Sequence, residues 1–86
     1  MPVQRPIDWA RQHAATMDDA PSLRHMHRFA KQDLERNAQL RAEVVEAGGE
    51  ALARREWDPF AERLIRDSEE AMRLIEARMV EMGWEL

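Results

Sequence analysis

DPFAERLIRDSEEAMRLIEARMVEMG, running from Asp58 to Gly83, holds a helix start signal, a stop signal and an unbroken period between them. Asp58 can accept hydrogen bonds from free backbone N–H groups, and the fixed φ and missing donor of Pro59 suit a first helical position, so the sequence predicts a start there. At about 100° per residue, Phe60, Ala61, Leu64, Ile65, Ser68, Ala71, Met72, Ile75, Met79 and Met82 share one arc of the wheel. On the opposite arc Glu62 precedes Arg66 and Glu69 precedes Arg73 by one turn, the acid-first order that favours a helix by about 0.2–0.5 kcal/mol per pair. Gly83 supplies a left-handed stop.

Upstream, the stretch from Ser22 to Ala47 contains no Gly or Pro. Leu23, Met26, Phe29, Ala30, Leu34, Ala38, Leu40, Val44 and Val45 fill roughly half its wheel, which predicts a second long helix ended by Gly48-Gly49. Glu50 to Trp57 reads as connector or short helix. Nearer the N-terminus, Pro6 opens a shorter pattern over 6–17 in which Ile7, Ala10, Ala14 and Met17 share a face, with Trp9 and His13 on its flank. Asp18, Asp19 and Pro21 break that pattern, and Asp19 or Ser22 is the expected cap of the next helix. Nowhere do apolar and polar residues alternate for the length of a strand.

These segments imply an all-α fold, a small helical bundle built on a long antiparallel αα-hairpin (22–47 and 59–82) with a short N-terminal helix. Each long helix should span about 35–40 Å, and the first helix, under half that length, cannot cover both. An apolar arc of about 180° is wider than one antiparallel neighbour buries, so part of it is expected to meet another chain, most simply in a homodimer.

Eighty-six residues make one domain, and 44% hydrophobic content against 35% charged excludes a disordered polyampholyte. No apolar run approaches the roughly 20 residues of a membrane span, and no secretory signal precedes Pro6, so a soluble, cytoplasmic protein without a membrane partner is expected. Without Cys or Tyr, and with hydroxyls only at Thr16, Ser22 and Ser68, the chain offers little to nucleophilic catalysis or structural zinc. No enzyme and no cofactor are expected. Charge is uneven: residues 1–42 hold 7 Lys+Arg against 5 Asp+Glu, net +2, and residues 43–86 hold 6 against 12, net −6.

Asp33, Asn37 and Arg41 stand at successive turns within the apolar arc of the second helix, with His27 at its edge. One reading is a polar seam that fixes register and partner at a helix interface; the other is a solvated row where the arc narrows. A metal site is disfavoured, because His25 and His27 point about 200° apart on a helix and His13 alone could join them. Arg24, Arg28 and Lys31 form a basic stripe able to contact phosphate, though Glu35 interrupts it and the chain is acidic overall. Adjacent Glu69 and Glu70 diverge and cannot act as an acid–base pair. Met72, Met79 and Met82 suit either a core filled by flexible side chains or an adaptable interface. Trp57 and Trp84, at the two ends of the last helix, are expected to cap the bundle.

No stretch matches a motif specific enough to name a family. The primary expectation is a small non-catalytic helical protein–protein interaction module, such as an adaptor, chaperone, regulator or inhibitor of a larger complex, that self-associates. Asp33, Asn37, Arg41, His27, Met72, Met79 and Met82 are its candidate interface. One alternative is a nucleic-acid-binding regulator using Arg24, Arg28 and Lys31. Another is a small enzyme or accessory subunit with Asp33, Asn37, Arg41 and His27 as a polar site inside a bundle.

Overall fold

A computed structural model describes residues 4–86. They fold as an all-α bundle whose order is α1 (Pro6–His13), a 3₁₀ turn (Ala14–Thr16), α2 (Ala20–Gly48), a single turn α3 (Glu50–Leu52), a π turn (Ala53–Trp57) and α4 (Asp58–Met82). No strand occurs among the described residues. The expected hairpin is present: α2 and α4 pack antiparallel, and α1 lies across their far end from the turn, mainly on α4.

The last helix starts at the expected Asp58-Pro59, but without the expected cap. Asp58 is not a cap; its backbone is helical (φ −59°, ψ −43°) and its N–H donates to the carbonyl of Ala53, five residues back. The helical path therefore begins after Gly49 and continues through Pro59. A proline inside an α-helix lacks the N–H for the carbonyl four residues earlier and its ring collides with that carbonyl. The π turn before Pro59 widens the ladder where that collision would occur, so the chain passes proline without ending the helix.

The other boundaries follow their chemistry. Gly49 ends α2 at φ +88° with its N–H on Val45 O at 2.7 Å. Gly83 ends α4 at φ +70°, its N–H bonding Val80 O at 3.1 Å while the Trp84 N–H reaches Met79 O at 2.9 Å, the paired bonds of a Schellman cap. Asp19 occupies the N-cap position of α2 but bonds no backbone amide; its carboxylate accepts the Ser22 hydroxyl instead. The first helix is shorter than the predicted 6–17, tightening to 3₁₀ geometry at Ala14 before the Asp18-Asp19 break.

One hydrophobic cluster holds the end of the hairpin nearest α1: Ile7, Ala10 and Ala14 from the first helix and turn, Leu23 and Ala30 from α2, and Ala71, Ile75 and Met79 from α4. Trp9, Met17, Met26, Met72 and Trp84 pack around it. Toward the turn at Gly49 the fully covered apolar side chains shrink to Ala53 and Ala61. The molecule is correspondingly long, 46 × 28 × 18 Å, with a radius of gyration of 15.1 Å. A compact chain of this length would have about 12 Å.

Ile75→Ala, at the centre of the cluster, should lower stability by about 2–5 kcal/mol in urea unfolding. In the same assay, at concentrations where the chain is monomeric, Phe60→Ala should stay within about 0.5 kcal/mol, because its ring lies on the surface.

Candidate functional site

The polar residues that interrupt the apolar arc of α2 go to different places. Arg41 reaches from α2 across the turn and grips Asp58, with Nε to Oδ1 at 2.8 Å and Nη2 to Oδ2 at 3.0 Å. The same Nη2 donates to Glu50 Oε1 at 2.7 Å. One guanidinium thus ties together α2, α3 and the start of α4, the two parallel bonds to Asp58 matching its planar fork. Glu50 and Asp58 would point about 80° apart on a regular helix, and the wider π turn between them brings them to one side. Hydrogen bonds first to Asp58 and then to Glu50 raise the Arg41 pKa. The Arg41 bond in turn holds the carboxyls of Asp58 and Glu50 below their ordinary values.

His27, at the edge of the arc, lies 2.9 Å from Glu76 of α4 through Nε2. Asn37 donates from Nδ2 to the backbone carbonyl of Asp33 at 3.0 Å. Asp33 and Asn37 line a cavity at the junction of α1, α2 and α4, together with Arg5, Ile7, Phe29 and Ser68. Arg41 and His27 therefore act within the chain, while Asp33 and Asn37 face a recess; the four do not form one seam.

Of the three methionines expected at an interface, Met79 is fully buried in the chain's own core. Packed in one cluster with Leu23 and Ile7, it leaves nothing for a partner to touch. Met72 is half-buried against the same core, and Met82 is exposed. In the basic stripe, Arg24 donates from Nε to the carbonyl of Glu85 at 2.8 Å, pinning the C-terminal segment to α2. Arg28 and Lys31 stay exposed. His13 lies beside Trp9, with ring centroids 5.9 Å apart and the planes tilted by 51°. No group of three or more acidic or imidazole side chains suited to a metal ion occurs among the described residues.

The largest exposed apolar side chains near the turn lie on the side that α1 covers at the other end. Leu64 lines the cavity beside Ile7 and Phe29. Phe60, one turn earlier on α4, is 66% exposed and its ring lies 5.7 Å from that of Trp57. Leu40 follows Asp33 by two turns on α2 and so extends the same stripe. By their wheel positions Leu40, Phe60 and Leu64 share one flank of the hairpin, an apolar strip that runs from the cavity at the start of α1 toward the turn. Phe60 and Leu64 were visible on the wheel as apolar positions, but their exposure depends on how far the eight residues of α1 extend.

No family model matches the chain, and no curated protein or solved structure is similar to it. Among the described residues, no helix is long and apolar enough to cross a membrane.

The Arg41 clip carries a pH signature. Carboxyls with lowered folded-state pKa values stabilise the fold fully above the ordinary carboxylate range, and the gain is lost as pH falls through the lowered values. Thermal unfolding of the native chain and of Arg41→Met should therefore differ at pH 7 and converge as the pH drops below about 4.

Proposed function

We propose that the chain is a non-catalytic helical interaction module that self-associates through the apolar strip at the turn end of its hairpin. The observation carrying this reading is a surplus of surface. A folded monomer of 10.1 kDa typically exposes about 5,300 Å². This chain exposes 6127 Å². The surplus, about 800 Å², is close to the area each partner buries in a stable complex of standard size.

The strip supplies the apolar centre such an interface needs. Phe60 and Leu64 from α4 and Leu40 from α2 lie on one side of the hairpin, where α1 provides a third layer at one end and nothing does so at the other. A second copy related by a two-fold axis presents the same strip, so that each Phe60 meets the Leu40–Leu64 side of its partner and two hairpins close a four-helix layer. Aromatic side chains at the centre of such a patch carry a disproportionate share of the association energy. The few hydroxyls and the absence of thiols favour this binding role over catalysis. A regulatory or adaptor role would then be exercised by the dimer, with Arg28, Lys31 and the mixed-charge outer face of α4 left to meet a larger partner.

Light scattering of the native chain should give twice the 10.1 kDa chain mass. Phe60→Glu with Leu40→Glu should weaken the dimer by more than about tenfold while leaving helical circular dichroism unchanged. A native chain that stays monomeric at every accessible concentration would overturn the self-association reading.

A further inference from the structure

The cavity between the start of α1 and the middle of the hairpin has a volume of about 280 Å³ and shares Ile7 with the core and Leu64 with the edge of the dimer strip. Ser68 lies in its floor, only 8% exposed. The Ser68 hydroxyl makes no hydrogen bond among the described residues, yet no buried side-chain oxygen or nitrogen is sealed off without a partner. The hydroxyl therefore opens into the cavity. A buried polar group left facing a recess needs a ligand or water to satisfy it.

Two more acceptors line the same space. Asn37 uses its Nδ2 on the Asp33 backbone carbonyl, which leaves its Oδ1 for another donor. The Asp33 carboxylate has no ion-pair or hydrogen-bond partner among the described residues and is half-buried. At the rim, Asp67 already faces Arg5 at 3.5 Å, so Asp33 is the lining acid that lacks a cation. The apolar part of the lining is Ile7 from α1, with Phe29 and Leu64 one turn before Asp33 and Ser68 on α2 and α4.

We propose that this cavity binds a primary ammonium group carried on a short apolar stem, held by Asp33, Asn37 and Ser68 with the stem against Ile7, Phe29 and Leu64. An ammonium has three donors and no acceptor, which matches three oxygen groups supplied by separate side chains. An anion would meet the Asp33 charge, and a neutral alcohol would leave that charge uncompensated in a partly covered site. The volume lies at the small end of ligand pockets, which typically hold about 300–1,000 Å³, so the body is of butyl or pentyl size. Both a free alkylamine and the side chain of a lysine have this chemistry.

Amide NMR spectra of the full chain, titrated with n-butylamine, n-butanol and Nα-acetyl-lysine amide, test the site. Butylamine should shift the amides around residues 33, 37 and 68 saturably, and butanol should bind at least about tenfold more weakly. Asp33→Asn and Ser68→Ala should each weaken the amine about tenfold, whereas Glu62→Gln, an exposed acid elsewhere on α4, should not change it. Equal or tighter binding of the lysine derivative assigns the site to a protein lysine, and selective binding of butylamine assigns it to a free amine. The proposal is overturned if alcohol and amine shift the same amides equally, if no saturable shift is confined to the cavity, or if Asp33→Asn and Ser68→Ala bind the amine as the native chain does. Light scattering of the same samples separates these outcomes from any change in self-association.

Discussion

Small side chains along the seam between the two long helices govern the rest of this structure. Ala30 on α2, Ala53 in the π turn and Ala61, Ser68 and Ala71 on α4 hold most of the buried hairpin positions, with Leu23, Ile75 and Met79 only at the end nearest α1. Alanine and serine allow helices to approach more closely than leucine does, since interaxial distance follows the side chains at the contact. The larger apolar residues are then displaced to the flanks of the seam. Displaced there, they require a third layer. At one end α1 provides it through Ile7, Ala10 and Ala14; at the other, Phe60, Leu64 and Leu40 remain on the surface. The wide apolar arc and the long shape are thus two results of the same packing choice.

Polar contacts fix geometry beside the core and, at the turn end where the core thins, in its place. Arg41 binds both Asp58 and Glu50 across the turn, His27 meets Glu76 midway, Arg11 meets Glu70 at 2.6 Å where α1 crosses α4, and Arg78 donates to the Met17 carbonyl at 2.8 Å below the 3₁₀ turn. Partly exposed ion pairs contribute little to stability singly, because water competes for both partners. Their value here is directional. Alanine contacts allow two helices to slide, whereas a forked guanidinium on a carboxylate accepts one register. The turn end of the hairpin is therefore specified more by Arg41 than by burial.

Periodicity made the architecture legible from sequence alone: two long helices of matched length, a shorter first helix and glycine stops at 49 and 83. The position of the last helix's start is legible too, but the role of Asp58 is not, because Asp-Pro satisfies the rules for a first turn equally well at a capped start and within a helical path that widens around proline. What distinguishes the cases is the hydrogen bond from the Asp58 N–H to Ala53, which no local propensity encodes. The candidate residues were legible in kind but not in placement. Met79 and Met82 lie about 60° apart within one apolar arc, yet one is in the core and the other is exposed. Ser68 and Arg5 gave no signal, since a single serine in an apolar arc resembles a tolerated small residue and Arg5 enters only through the approach of α1 to α4.

The interruption of α2 by Asp33, Asn37 and Arg41 acquires a physical reason from the same geometry. Ile7 and Pro6 mark where α1 begins, and they share the cavity lining with Asp33 and Asn37. At that level the third layer stops and water can reach the hairpin flank. An apolar residue at either position would gain cover on one side only, and a polar one can bond its own backbone, as Asn37 does to the Asp33 carbonyl. One turn further, where no layer covers the flank, Arg41 can keep its charge solvated while its fork bridges the turn. The break in the apolar pattern of α2 therefore follows the edge of α1. A wheel drawn for α2 alone cannot separate buried seam from solvated row, because the boundary between them is set by a different helix.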